Sequence, residues 1–415
     1  MTAIEWTHMP GFKGESWNPI VGCSVLTKGC TNCYAMKQAA RIIAMTKGET
    51  HYRGLVKTVN GKPVWTGSIR AAPDRVWEAP LRAKKPRCYF VNSMGDVFYE
   101  TVPDEWIDRL FAIMALSPQH RFLILTKRPE RMREYLARPG VMVRIGLEAL
   151  GVVLGEMARH PSSKIGSGVL IKGSDINPGG LVHWPLPNVW LGVSVEDQVT
   201  ADARIPDLLS TPAAKRFVSA EPLLGEINLS VLSVADPTVV AAYHRGGGDS
   251  DSALWLNALS GDYADEDDVC NDEVLGRADG LSPLDWIIAG GESGPDARPL
   301  HPDWARSLRD QCASATVPFF FKQWGEWLPW SHFNSTEIND EADNAKSSRY
   351  PAAVWGSRCG AGVAKWNHYD AGDTPWMVVD EWHHECEWVG RVGKKAADHL
   401  LDGWIHHAFP EARPS

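Results

Sequence analysis

Three cysteines crowd into eleven residues, Cys23-(x6)-Cys30-(x2)-Cys33, within the run WNPIVGCSVLTKGCTNCYA. Thiolates at close spacing on one loop are ligands for soft metals and iron–sulfur clusters. Gly22 and Gly29 precede the first two cysteines, and glycine permits the turns that wrap a loop around a bound group. The segment after Cys33, YAMKQAARIIAM, reads as a helix, whose N-terminus favours the thiolate form. Three readings compete: buried free cysteines, a structural zinc, or an iron–sulfur cluster. Zinc wants four ligands, and only His383, His384 and Cys386 of WHHEC offer a distant complement. Three thiolates on a four-iron cluster would leave one iron open to an exogenous ligand. Eight cysteines in 415 residues are too sparse for a disulfide scaffold, so a reducing, cytoplasmic location is the default expectation.

The elements that must position this loop can be read from periodicity. Short β-rich runs, Cys88–Val91, Phe122–Thr126, Val189–Val195, Arg216–Glu221, Trp286–Ala289 and Phe319–Gln323, alternate with helical patterns, and Trp17–Val21 is a candidate earlier strand. Helices are expected over residues 102–116, 145–158, 301–313 and 394–404. Such alternation predicts an α/β protein with a parallel sheet or barrel. Nearly every run ends in polar or Gly residues: Asn92-Ser93-Met94-Gly95-Asp96, Thr126-Lys127-Arg128, Ser194 and Glu196, Glu221-Pro222, Gly290-Gly291-Glu292, and Lys322-Gln323-Trp324. Ligands bind at the carboxyl ends of parallel strands, so these residues form one candidate site. Arg128 and Arg131 suit either a phosphate or a solvated helix face. Arg298 and Lys322 suit a phosphate or carboxylate. The tryptophans of QWGEWLPW (Trp324, Trp327, Trp330) are either core or a stacking platform for a base.

Charge is unevenly laid out. Residues 1–150 hold 22 basic and 13 acidic side chains, net +9, and residues 151–415 hold 20 and 38, net −18. The stretch 230–280 alone has 11 acids and 2 bases, so it supplies the whole formal −9 and reads as a solvated loop or a lid. The basic front half is compatible with an anionic partner. No run is long and apolar enough to span a membrane.

The chain resembles the radical S-adenosylmethionine (SAM) enzymes, and among them a phage and prophage family with a WNP–GC–GC–CYA signature. The stretches that carry the likeness are WNPIVGCSVLTKGCTNCYA, FVNSMGDVF, LTKRPERM, NVWLGVSVEDQ, SAEPLLG, IIAGGESGPDARPLHPDWARSLRDQC, PFFFKQWGEW and VGKKAADHLLDG. It is also similar to spore photoproduct lyase, a DNA repair enzyme whose cluster loop ends in a Cys–Tyr pair. The resemblance implies a partial (β/α)6-type barrel over residues 1–330, with insertions at about 140–186 and 230–280, and a C-terminal extension, 331–415, packing on the barrel. It implies that Cys23, Cys30 and Cys33 ligate a [4Fe–4S] cluster, and that Ser93, Gly95, Asp96, Lys127 and Ser194 hold SAM. Tyr34, Glu221, Glu292 and Lys322 would then serve the reaction, with electrons from a flavodoxin or ferredoxin. The implied substrate is a nucleotide or nucleic-acid base, in phage DNA modification or repair. Alternatives are a nucleic-acid-binding protein with structural zinc or Fe–S, or a radical SAM enzyme on a metabolite or peptide. The chain departs from the superfamily pattern in a first gap of six residues, in Asn32 before the last cysteine, and in a GGE motif that follows a late strand. Ser93 stands where the lyase has its hydrogen-donating cysteine.

Overall fold

The computed structural model describes residues 4–48, 50–159, 182–234, 254–265, 276–277, 281–329, 352–356, 386–391, 394, 397 and 399–410. Seven strands form one curled, all-parallel half-barrel sheet: β1 (Lys13–Trp17), β2 (Arg87–Val91), β3 (Arg121–Thr126), β4 (Val189–Ser194), β5 (Lys215–Ala220), β6 (Trp286–Gly290) and β7 (Phe319–Gln323). They neighbour one another in chain order, as successive crossovers of one hand require. The intervening helices are α1 (Tyr34–Met45), α2 (Asp104–Ala115), α3 (Pro129–Leu136), α4 (Val141–Arg159), α5 (Gln198–Leu209) and α6 (Pro302–Ser314). Their starts are encoded locally. Pro129 and Pro302 occupy first-turn positions, where a missing N–H costs nothing. Asp197 and Thr200 form a reciprocal capping box at the start of α5.

The period of two along each strand separates two faces. Tyr89, Val91, Phe122, Ile124, Leu191, Val193, Val218, Ile287, Ala289 and Phe321 join the core shared with the helices. The alternate residues, Cys88, Phe90, Leu123, Trp190, Phe217, Trp286, Ile288 and Phe320, form a second core on the opposite face. Trp6 and Met9 complete that lumenal core, with Ile4, Phe12 and Phe409 packed against it. Gly192 continues the lumenal row on β4, and the Phe217 ring fills the space its side chain would need. Higher up, the same row turns polar: Ser194, Ser219, Gly290 and Lys322, followed by Lys127, Glu196 and Glu221 just past their strands. The lumen is therefore aromatic below and polar at its carboxyl end.

Three expectations change. The first strand is Lys13–Trp17; Ile20–Val21 instead pairs with Arg70–Ala71. Leu400–Leu401 and Trp404–Ile405 form a hairpin where a helix over 394–404 was expected. Asp402 and Gly403 both have positive φ, 52° and 79°, as a tight two-residue hairpin turn demands. The described part of the acidic insertion is largely strand rather than loop. Leu232–Ser233, Leu254–Asn257, Asp262–Asp265 and Gly276–Arg277 build a small antiparallel sheet, and Leu232, Leu254 and Leu256 are buried in the main core. Of the C-terminal region, Cys386–Arg391 is the middle strand of a three-stranded antiparallel sheet, pairing with Trp327–Pro329 on one side and Ala352–Gly356 on the other. Among the described residues, no helix is long and apolar enough to cross a membrane.

Candidate functional site

The cysteine loop leaves β1 at its carboxyl end and is tied to the loop after β2. Gly22 N donates to Met94 O at 3.0 Å, and Gly22 bridges Gly95 in parallel register. Gly95 eases this approach: a Cβ there would lie 3.0 Å from Gly22 O and 3.1 Å from Ile20 O, closer than ordinary contact. Asn18 of the WNP segment accepts from Ser93 Oγ (3.2 Å) and Met94 N (3.0 Å). Tyr34, the first residue of α1, donates its hydroxyl to Ser93 O at 2.7 Å and is 54% exposed. Ser93, Gly95 and Tyr34 thus shape one rim of the loop.

Behind Cys23 stands Arg128, only 7% exposed. Its guanidinium bonds Asp96 (3.1 Å), Glu100 (3.0 Å) and Ser24 Oγ (2.9 Å), lies 3.7 Å from Cys23 Sγ, and sits over the Tyr99 ring. It is neither a solvated helix face nor a free phosphate site. Arg131 likewise turns back onto the Tyr99 and Val102 carbonyls and Asp104. Asp96 is fully engaged, accepting also from Thr126 Oγ1, Lys127 N and Phe98 N. Burial and then Asp96 push the Cys23 thiol up to about 12, against the opposing charge of Arg128.

Cys30 faces Lys127. Burial works to raise this thiol, but the Lys127 charge and backbone N–H groups at Thr27 and Leu26 outweigh it, leaving it below the ordinary range. Burial in turn lowers Lys127 to about 8. Lys127 is ion-paired to Glu196, which is 1% exposed and also receives Arg204 Nη1 (3.1 Å) and Thr27 Oγ1 (3.1 Å). A Cβ on Gly29 would overlap the Glu196 carboxylate, so the loop presses directly on this buried acid. Cys33 caps α1. Burial raises its thiol while the Ala35 and Met36 N–H groups work the other way.

The far side of the loop is clamped by the Gly-rich turn after β6. Asn32 donates to Glu292 Oε2 (3.1 Å) and Asp296 O (2.8 Å). Arg298 holds Glu292 through Nε and Nη2 (2.9 and 2.7 Å) and reaches Lys28 O at 3.0 Å. Lys62 pairs with Asp296 at 3.0 Å. Burial tends to raise the Glu292 carboxyl, but the bonds from Arg298 and Asn32 hold it below the ordinary range. It is therefore an ionised strut rather than a proton donor at neutral pH. The stabilisation Glu292 gives is full above the unfolded value of about 4.3 and fades as pH falls through the lower folded value. Glu292→Gln is expected to lower thermal stability at neutral pH, with the gap to the parent closing in acid. A gap independent of pH would show that its charge is not what holds the loop.

Next to the cysteine bowl, the polar lumen holds a second pair. Lys322 Nζ lies 2.8 Å from Glu221 Oε1, Ser219 Oγ donates to Glu221 Oε2 (3.1 Å), and Ser194 Oγ donates to Glu221 O (3.4 Å). Burial opposes the charge on Lys322, but Glu221 outweighs it and raises the ammonium above its usual range. Trp324 and Trp327 are core: their indoles are buried and donate to Leu400 O and Ala297 O. Trp330, His383 and His384 lie outside the described residues.

Of the residues expected at the strand ends, Ser93, Gly95, Asp96, Lys127, Ser194, Glu221, Glu292 and Lys322 lie at the carboxyl end of the sheet around the cysteine loop and the polar lumen, whereas Trp324 is core. Sequence reasoning placed Arg128 and Glu196 at the strand ends but not as supports of the cysteine loop, and it missed Asn18, Asn32 and Arg204 as supports. Glu196 had a signal, since it continues the lumenal row of Trp190, Gly192 and Ser194. Among the described residues, no group of three or more His, Cys, Asp or Glu side chains converges as a single metal ion would need. No curated protein and no solved structure matches the chain. A family described as protein of unknown function (DUF5131) matches residues 1–410, and the chain belongs to that family.

Proposed function

We propose that the protein is a radical SAM enzyme whose [4Fe–4S] cluster is held by Cys23, Cys30 and Cys33, and which acts on a nucleotide or nucleic-acid base. The observation that carries this reading is three thiols on one braced loop at the carboxyl end of a curled parallel sheet, with the cation Lys127 beside Cys30 and Cys33 and Arg128 beside Cys23. The donor set fits the group. It is all thiol, and it is served by backbone N–H groups at Cys30 and Cys33. When bound, the cluster and SAM supply one-electron cleavage of the sulfonium to methionine and a 5′-deoxyadenosyl radical, the electron coming from a flavodoxin or ferredoxin.

The chain's own residues position and neutralise. Lys127 and Arg128 offset thiolate charge and, with Asp96, fix the strand ends around the loop. Lys127 and Ser194 suit the carboxylate of SAM, and the Ser93–Asp96 loop suits its amino group or ribose. Glu221, Ser219 and Lys322 offer a charged and hydroxylic lumen to the substrate, with water held back by the aromatic layer beneath. The net +9 of residues 1–150 supports a phosphate-bearing substrate.

The test is anaerobic reconstitution with iron and sulfide, followed by SAM and a reductant. The expected result is about four irons per chain and 5′-deoxyadenosine. Cys30→Ala should remove the product entirely. Stoichiometric zinc without product in the parent, or product from Cys30→Ala, would overturn the reading.

A further inference from the structure

At the end of the sheet opposite the cysteines lies a cavity of about 630 Å³, lined by Gly11, Phe12, Lys13, Lys84, Lys85, Pro86 and Arg87. Lys13 and Arg87 open β1 and β2 and face each other in register, and Lys13 N donates to Pro86 O at 3.3 Å. Four of the seven lining residues are cations and none is an acid. Arg87 is neutralised by Glu15. Among the described residues no ion pair holds Lys13, Lys84 or Lys85, and all three are exposed. Between them lies the half-buried ring of Phe12, with the Arg121 guanidinium 5.7 Å from its centroid.

From this arrangement we infer that the amino-end cleft is a binding site for the sugar-phosphate backbone of single-stranded nucleic acid. Three unpaired ammonium groups around an open cavity attract phosphates, and an aromatic wall backed by Arg is a stacking face that any base can use. A small phosphate would be served by one or two convergent donors. Here Lys84 and Lys85 are consecutive while Lys13 sits on the neighbouring strand, which spreads the charge as a polyanion would need. The site lies beyond the proposed chemistry and does not rest on it. β1 is an edge strand whose five residues span about 17 Å, so a bound strand passing along that edge would reach from this cleft to the cysteine rim.

The probe is a fluorescein-labelled single-stranded oligonucleotide, titrated by anisotropy with the full chain as purified. Each backbone phosphate neutralised contributes about 0.7 to the slope of log K against log salt, so three lysines give a slope near −2. Binding should weaken about 20-fold between roughly 50 and 200 mM salt for the parent, but only about 3-fold for K84A/K85A. That variant should bind more weakly at low salt, melt like the parent, and leave SAM cleavage unchanged. An unchanged slope in K84A/K85A would overturn the inference. So would inorganic pyrophosphate binding that depends on these lysines while the oligonucleotide does not bind. Because 5′-deoxyadenosine is a separate readout, failure here is distinguishable from failure of the radical reading.

Discussion

Glu196→Gln is expected to destabilise the protein by about 3–5 kcal/mol, the usual cost of removing one member from a buried ion pair. Glu196 is 1% exposed, and it answers two cations, Lys127 and Arg204, whose side chains are 19% and 6% exposed. Glutamine keeps the volume and can still accept from Thr27, but it removes the carboxylate that directly ion-pairs both cations in a low-dielectric site. In a chain of this length the loss should lower the midpoint of thermal unfolding by several degrees. It should also free the Thr27–Cys30 turn, so reconstituted protein should hold less iron. A melting midpoint equal to the parent's would mean that water reaches Lys127 and Arg204 and that the triad is not buried in solution.

The second large effect is expected at Gly22. Its φ of +101° is costly for any residue with a side chain, by about 1–3 kcal/mol from the backbone alone. A Cβ would also overlap Ser68 O and lie 3.1 Å from Ile69 Cα and 3.2 Å from Leu55 Cδ2. Two of these three obstacles are backbone atoms, so relief means moving the loop that carries Cys23. Gly61 provides the control: its φ is +73°, but a Cβ there would meet nothing within 4 Å. Gly61→Ala should therefore show the backbone cost alone. Gly22→Ala should cost more and should also lower iron content, which Gly61→Ala should leave unchanged. Equal melting losses in the two variants would show that the close approach of the Gly22 loop to Ser68 does not matter.

Much of this architecture was legible from residue types alone. Six of the seven sheet strands announce themselves as apolar runs, because strands covered on both faces must be apolar throughout. The polar residues that end them sit where a period of two delivers them to the lumen. The first strand escaped notice because KGESW is an edge strand with Lys13 and Glu15, and edges tolerate charge. The hairpin near the C-terminus was hidden because Leu400, Leu401, Trp404 and Ile405 also fit a helical spacing, although Asp402-Gly403 is itself a turn signal. The insertion's strands hid in an acidic composition, because only alternate residues of a short, half-covered sheet need be apolar. The pairings that brace the cysteine loop could not be read, even where a partner such as Glu196 stood out at a strand end. Thr27 meets Glu196 across 169 positions and Asn32 meets Glu292 across 260, and no local pattern encodes a partner that far away.

The outer edge of β7 is closed by the far end of the chain. Residues 406–408 lie antiparallel along it, with Phe321 N bonded to His406 O (2.7 Å) and Ala408 N to Phe319 O (3.1 Å). Trp286 Nε1 donates to Ala408 O, and Phe409 packs on the ring of Trp286. The N-terminal turn, through Trp6, meets the same Trp286 ring at 6.3 Å. The lumenal core is thus completed by two segments some 400 positions apart in the chain. Contacts of such sequence separation form late, after the entropy of closing a very long loop has been overcome. Until then an aromatic-rich sheet presents an unpaired edge, which is a template for association with other chains. Sealing of this seam is therefore the step at which folding and aggregation compete, and a chain cut before residue 406 should be lost to aggregates rather than to a smaller folded barrel.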